Sequence, residues 1–406
     1  MRCLTSLLIA SMLIAFSSAS IAGASFLQEN LSVNDAVYVV DHAGKEIFNW
    51  QADKPLVPAS LTKLATAYLA LEKWGGEHHF TTDFYLAGDT LWVKGYGDPF
   101  LISEELELIA QRLSMLGLST VRELKIDNTF FSITKVPGRS QVSDPYNAPM
   151  SAVAANFNTA MLRQHEGRLV SAEPQTPLTK TAQRVAQGIG VRATRVNLRN
   201  AINAQQNFAE LLVAKCGWKD VRISVGQQVP TDVPRLFSYQ NSRSLAEVLR
   251  GALEYSNNFI ANQVFLKLAE QSQGNSVTFE AASAYARAVL EADFSWQGAV
   301  LQDGAGLTRD NRLSAYQLDD LLKALTPNKR LLKEYLIDRD DVNVFAKTGT
   351  LNAVHSFAGY IEFPAHSFRF VFNFNRTVPY QYRIRLLDKL VMDLKQQIAA
   401  TSGDLQ

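Results

Sequence analysis

The stretch Pro58-Ala59-Ser60-Leu61-Thr62-Lys63 decides how this chain is read. It sets a serine and a lysine three residues apart at the head of a run in which Leu61, Leu64, Ala65, Tyr68 and Leu69 recur at helical spacing. Residues three apart on a helix share a face, so the hydroxyl and the amine meet. Pro58 stands where a helix can begin, and Gly75-Gly76 where it stops. Ser60 is expected near that helix N-terminus, one turn from a base, which can activate a nucleophile without histidine. The spacing recurs in Ser132-Ile133-Thr134-Lys135, but Val136-Pro137-Gly138 follows and its turn signal rules out a helix there.

Working outward, Ala36–Val40 and Glu46–Trp50 read as two strands joined by His42-Ala43-Gly44-Lys45, a hairpin that leads into Ser60. From about residue 77 to 235 the pattern changes to short strands, such as 83–86 and 90–94, and scattered helices, 104–116 and 203–215. Helical patterns return over 245–255, 259–269 and 277–292, and Asp303–Arg309 is a polar, glycine-rich loop. Three β-rich runs follow, 342–347, 357–363 and 368–375, then a helix from about 380 to 399. Its stripe of Ile384, Leu387, Val391, Leu394 and Ile398 reads as a sheet-packing face, with membrane association left open. The expected fold is mixed α/β (α+β): a five-stranded antiparallel sheet built from both ends of the chain and flanked by helices, interrupted by a mixed α/β insert. The domains are then 25–76 with 236–406, and 77–235.

The 406 residues are 47% hydrophobic and 19% charged, a globular composition too long for one ordinary domain. With 40 basic and 39 acidic residues, no global charge argues for nucleic acid. Residues 1–24 have the layout of a cleaved secretory signal: Arg2, an apolar stretch from Leu4 to Phe16, then Ala22-Gly23-Ala24. Cys3 leaves with it, so Cys216 has no partner for an intramolecular disulfide and reads as a packed thiol. The six histidines have no metal-ligand spacing, adjacent His78-His79 read as solvated surface, and no metal site is expected.

Two further elements follow Ser60 and Lys63 in order: Ser256-Asn257-Asn258 and Lys347-Thr348-Gly349-Thr350. Each alone has a plain explanation, as a helix cap, a turn or a strand end. Together they match the three-part signature of penicillin-binding proteins and class A β-lactamases. Within that superfamily the chain resembles the low-molecular-mass penicillin-binding proteins of the D-Ala-D-Ala carboxypeptidase/endopeptidase (DacB-like) type. The resemblance extends through Tyr96-Gly97-Asp98-Pro99, Ala148-Pro149 and Asp303–Ser314; Asn257 stands where that family often has aspartate, and Thr350 where it often has serine.

The residue chemistry agrees with what the resemblance implies. Neutral Lys63, its pKa lowered by burial and by Lys347, is the candidate base for Ser60. Ser256 is expected to relay a proton between Lys63 and a leaving amine, and Asn258 to hold Lys63 and the substrate amide. Lys347 and Thr348 offer a cation and a hydroxyl to a terminal carboxylate, Gly349 is expected to leave room for a substrate backbone, and the N–H groups of Ser60 and Thr350 would form an oxyanion hole. The resemblance implies a cofactor-free, periplasmic serine D-Ala-D-Ala carboxypeptidase, with endopeptidase activity open, acting on peptidoglycan stem peptides and acylated by β-lactams. Two alternatives stand beside it. A β-lactamase is disfavoured by the long separation of Ser60 from Ser256; a catalytically weak peptidoglycan-binding module is disfavoured by the intact set of site residues.

Overall fold

Ala36, Val37, Tyr38, Val39 and Val40 are apolar in succession, so the strand they form has to be covered on both faces. The computed structural model, which describes residues 31–140, 142–270, 277–336 and 341–403, bears this out; the expected signal segment lies outside them. Strand β1 (Asp35–Asp41) turns through Gly44 into β2 (Glu46–Trp50). Asp41 Oδ1 closes the turn by accepting from the N–H groups of Ala43 and Lys45. A short 3-10 turn, Ala59–Leu61, then runs into helix α1 (Thr62–Trp74), which ends at Gly75.

The middle of the chain builds β3 (His79–Ala87), β4 (Thr90–Gly95), α2 (Ser103–Met115), β5 (Glu123–Asp127), β6 (Thr159–His165), β7 (Arg168–Ser171), α3 (Lys180–Val185), β8 (Thr194–Asn197), α4 (Ala201–Lys215), β9 (Arg222–Val225) and β10 (Arg235–Ser244). After these come α5 (Leu245–Glu254), α6 (Asn258–Lys267), α7 (Phe279–Phe294), α8 (Ala315–Ala324), β11 (Lys333–Tyr335), β12 (Asn343–Leu351), β13 (Val354–Glu362), β14 (Ser367–Phe374) and α9 (Tyr382–Gly403).

The main sheet has the order β11-β12-β13-β14-β1-β2 with every neighbouring pair antiparallel. It therefore has six strands where the sequence suggested five. The extra strand is three residues long with two of them exposed, too short to show an alternating pattern. The middle of the chain makes a mixed sheet, β10-β3-β4-β5-β9, and a small one, β7-β6-β8. Pairing of β10 with β3 carries the mixed sheet past residue 235 to Ser244. That strand carries no clear signal in the sequence because its partner lies far upstream.

Two cores cover the main sheet. On one face, Leu61, Leu64, Leu69, Leu249, Ile260, Phe265 and Leu318 pack with Phe345, Ala358 and Val371, and Met150 and Ala152 of the middle segment join them. On the other face, Leu387, Leu390, Val391 and Leu394 of α9 lie on Phe357, Phe370, Phe372 and Phe374, the sheet-packing role expected for that stripe. Among the described residues no helix is long and apolar enough to cross a membrane. Cys216 packs against the core of the mixed sheet, and burial pushes its thiol up to about 12, which keeps it protonated.

His78 and His79 are half-buried, contrary to the solvated reading. His78 stacks on Trp74, and His79 Nδ1 lies 2.8 Å from the Asn241 carbonyl. The mixed sheet starts at this point and draws both rings inward.

Arg369 of β14 ties the sheet to α8 by a two-point contact with Asp319, 2.7 and 3.0 Å, at a nearly closed site. Removing one member strands the other charge. Asp319→Ala is expected to cost about 3–5 kcal/mol, read as a lower urea midpoint with an unchanged slope. A midpoint equal to the wild type would contradict this account.

Candidate functional site

Helix α1 is buried over residues 62–70 and α6 along almost its full length, and each brings one motif to the same cleft. Ala59 and Ser256, both at turns entering these helices, have φ of +50° and +56°, a conformation that costs non-glycine residues energy. Neither the 3-10 turn nor α1 has a side-chain cap, so the Ser60 hydroxyl is not spent on one. Lys63 Nζ lies 3.1 Å from it.

Lys63 is 1% exposed. Its amine donates to Asn258 Oδ1 and to the Ala305 carbonyl, both at 2.7 Å. Asn258 Nδ2 donates to the Tyr146 carbonyl, which fixes the orientation of that amide. Both oxygens facing Lys63 accept only. A neutral amine has two protons and one lone pair, so the third direction, toward Ser60, is left to accept a proton. Burial first, and the Lys347 charge second, hold Lys63 well below the usual lysine range, while Asp303 opposes them.

Ala305 belongs to the glycine-rich loop. Asp303 Oδ2 accepts from the N–H groups of Ala305 and Leu307, and Asn311 Nδ2 donates to Asp303 Oδ1. Gly306, at φ +78°, brings the loop so close that a Cβ there would come 1.8 Å from the Ala59 carbonyl. The partner this loop gives Lys63 is a backbone carbonyl, which no side-chain motif announces.

Lys347 is equally enclosed. Its Nζ donates to Ser256 Oγ at 2.9 Å and to the Thr348 carbonyl at 2.7 Å. Burial, then the charges of Arg383 and Lys333, bring it down to about 7. The structure thus joins Ser60, Lys63, Ser256, Asn258 and Lys347, with one difference from expectation. Ser256 is engaged with Lys347 instead of Lys63, because the left-handed turn at Ser256 presents its hydroxyl to β12.

Gly349 departs further from its expected role. A Cβ there would meet Ser356 Oγ at 2.2 Å, the Pro58 carbonyl at 2.9 Å and the Ser60 nitrogen at 2.9 Å. The side of Gly349 that a Cβ would occupy is taken up by Pro58 and Ser60 of the protein's own turn and by Ser356. An unpaired strand edge lies instead along the outer side of β12. There β11 pairs only with Val344, Phe345 and Ala346, so Lys347–Leu351 have no strand on that side among the described residues. Ser356 Oγ donates to the Pro58 carbonyl and completes the seam between β13 and the turn.

Arg383 is the site residue that the sequence did not reveal. From α9 its Nη1 donates to the carbonyls of Gly349, 2.6 Å, and Ser356, 2.8 Å. A single arginine in an amphipathic helix carries no motif. The turn Tyr96–Pro99, in contrast, is a structural joint: buried Asp98 accepts from the Asn241 side chain and from the Phe100 N–H. The second Ser-x-x-Lys stretch forms no helix, as expected, and Gly138 after it packs on Leu307 and Thr308. His355 sits opposite Thr350 in the β12–β13 pair, partly buried. A cleft of about 640 Å³, bordered by Tyr146, Arg250 and Tyr255, opens beside Ser256 and Asn258. Among the described residues no cluster of three or more metal-ligating side chains occurs.

The pattern of the D-Ala-D-Ala carboxypeptidase 3 (S13) family matches residues 21–207 and 185–338. A D-alanyl-D-alanine carboxypeptidase of Actinomadura sp. is 24% identical over 404 residues, covering 81% of this chain and 75% of that protein. In fold, the chain is similar to penicillin binding protein 4 (dacB) from Haemophilus influenzae, with a TM-score of 0.72 at 18% identity over 91% of this chain and 98% of that one. The same protein complexed with a β-lactam gives 0.69 at 17% identity over the same shares. A predatory peptidoglycan endopeptidase from Bdellovibrio bacteriovorus gives 0.54 at 14% identity, covering 89% and 92%. With the family pattern running over more than half of its length, the chain belongs to the D-Ala-D-Ala carboxypeptidase 3 (S13) family.

Proposed function

We propose that this protein is a serine D-Ala-D-Ala carboxypeptidase that cleaves peptidoglycan stem peptides through an acyl-enzyme on Ser60. The observation that carries the reading is the buried Lys63 amine, with two acceptors for its protons and Ser60 at its lone pair. Ser60 Oγ attacks the penultimate D-alanine carbonyl and its proton passes to Lys63. The N–H groups of Ser60 and Thr350 receive the developing oxyanion, each donor worth roughly 3 to 4 kcal/mol.

The substrate lies along the free edge of β12 as an added strand. Its terminal carboxylate meets the Lys347 ammonium and the Thr348 hydroxyl. As the C–N bond breaks, Ser256 gives its proton to the leaving amine and takes one from Lys347. Charge thereby moves from Lys347 to Lys63. Water then enters in place of the amine, returns a proton to Lys347 through Ser256, and Lys63 restores the proton to Ser60. Hydrolysis of a cross-link is the same sequence with a longer leaving amine, and a β-lactam ring is an amide that traps the acyl stage.

The leader-like residues 1–24 support a periplasmic location. We take the catalytic unit to be formed by the segments on either side of the middle sheets. The reach of β10 to Ser244 favours ending the insert there, beyond residue 235.

Intact mass after mixing with benzylpenicillin is expected to show a long-lived adduct on the wild type and none on Ser60→Ala. An adduct on both variants would exclude Ser60; a short-lived one with hydrolysed drug would move the reading to a β-lactamase. For kcat/KM, which reports the free enzyme, activity is expected to fall as pH rises through the Lys347 value of about 7. Deprotonation there removes both the carboxylate's counter-charge and the proton donor. A stopped-flow acylation rate still climbing at high pH would refute this. Gly349→Ala drives a methyl toward Ser60 and is expected to slow acylation by roughly a hundredfold, the cost of misplacing reacting groups by about 1 Å.

A further inference from the structure

We propose that Arg383 is a positioning residue for the oxyanion hole: by donating to the Gly349 carbonyl, it fixes and polarises the peptide unit whose other end is the Thr350 N–H. The inference rests on the acyl-transfer reading above and adds a residue to it. A peptide bond is planar and trans, so the Gly349 C=O and the Thr350 N–H point in opposite directions from one rigid unit. Whatever holds the carbonyl aims the N–H. A cationic donor on the carbonyl oxygen also draws electron density along the amide and makes the N–H a stronger donor, as in any hydrogen-bonded chain of amides.

The contacts of Arg383 suit this task. One nitrogen, Nη1, reaches both Gly349 O at 2.6 Å and Ser356 O at 2.8 Å, and these two residues face each other in the β12–β13 register. The guanidinium is thus a staple across the strand pair at the point nearest the nucleophile. On the far side of the staple, Ser356 Oγ holds the Pro58 carbonyl, and the Gly349 Cα side abuts the Ser60 nitrogen. Both N–H groups of the oxyanion hole are therefore referred to one fixed point.

The group is also costly to keep. Arg383 is largely withdrawn from water, burial weakens its hold on its proton, and among the described residues it has no carboxylate in ion-pair contact. A guanidinium used only to dock a helix would be better served by an acidic partner or by an apolar side chain. Leaving its charge uncompensated against two carbonyls preserves its polarising effect on them.

The test compares the wild type with Arg383→Met and Arg383→Lys, using benzylpenicillin as acyl donor. Two quantities are read: the acylation rate constant, and the infrared stretch of the acyl-enzyme ester carbonyl, which drops when an oxyanion hole polarises it. Arg383→Met is expected to slow acylation roughly tenfold to a hundredfold, less than loss of a direct donor, and to move the stretch to higher wavenumber. Arg383→Lys, which keeps the cation, is expected to fall between the two. A Met variant with the wild-type unfolding midpoint, rate and stretch overturns the inference, as does a slowed variant with an unmoved stretch, which marks a purely structural role. Should the Met variant lose the wild-type unfolding transition, Arg383→Gln takes its place: a slower rate with a raised stretch supports the inference, and an unmoved stretch overturns it. Absence of any wild-type adduct would bring down the acyl-transfer reading together with this one, whereas a wild-type adduct with unaffected variants brings down this one alone.

Discussion

An amine shut away from water with two carbonyl-type acceptors and one hydroxyl is the constraint around which this molecule is arranged. A charged Lys63 would bring a third proton to a place where the remaining neighbour is Ser60, and burial disfavours that charge in the resting site. The neutral form satisfies every partner, and its satisfaction requires that three distant segments stay together: the turn before α1, the Asn258 turn of α6 and the Ala305 loop. Much of the surrounding fold serves to hold those segments. Asn262 on α6 accepts from the Gly304 N–H, and Thr66 on α1 donates to the Gly304 carbonyl, so both site helices grip the same loop.

The second lysine supports the first. Lys347 lies on the opposite wall, and its charge, after burial, lowers the pKa of Lys63. Lys347 is in turn buried, and crowded by Arg383 and Lys333, which together bring it down to about 7, so that it can give up a proton as well as attract a carboxylate. Cations on three elements, β11, β12 and α9, thus crowd one wall of the site. The strand pairing sets this crowding, since Lys333 and Ala346 are register partners one residue from Lys347.

The motif residues were legible in the sequence because their chemistry is local. Ser60 and Lys63 meet by helix geometry, and Lys347 ends the β-rich run read over 342–347, which the strand carries on to Leu351. What the sequence did not reveal depends on distant pairing. Ala305 acts through a carbonyl that every residue possesses, Arg383 through its place on a helix packed across the sheet, and β11 through three residues that follow β12's edge. The role of Gly349 was misread for the same reason: the atoms that exclude a Cβ belong to Pro58, Ser60 and Ser356, two of them far upstream in the chain.

Close approach explains why the site sits where two glycines and two left-handed non-glycine turns coincide. Gly349 and Gly306 both press on the Ala59–Ser60 turn, one from the strand side and one from the loop side, leaving it no room to relax. Ala59 is held at a positive φ between them, and Ser256 is held likewise by Lys347 and the start of α6. Strain of about 1–3 kcal/mol at each such residue persists only when neighbours over-determine it. At Ala59 those neighbours, Gly306 and Gly349, also fix the Ser60 nitrogen, so the strained turn and the proposed oxyanion donors come from a single packing arrangement. Relieving the strain at Ala59 would loosen the Ser60 N–H, so the packing and the strain are kept together.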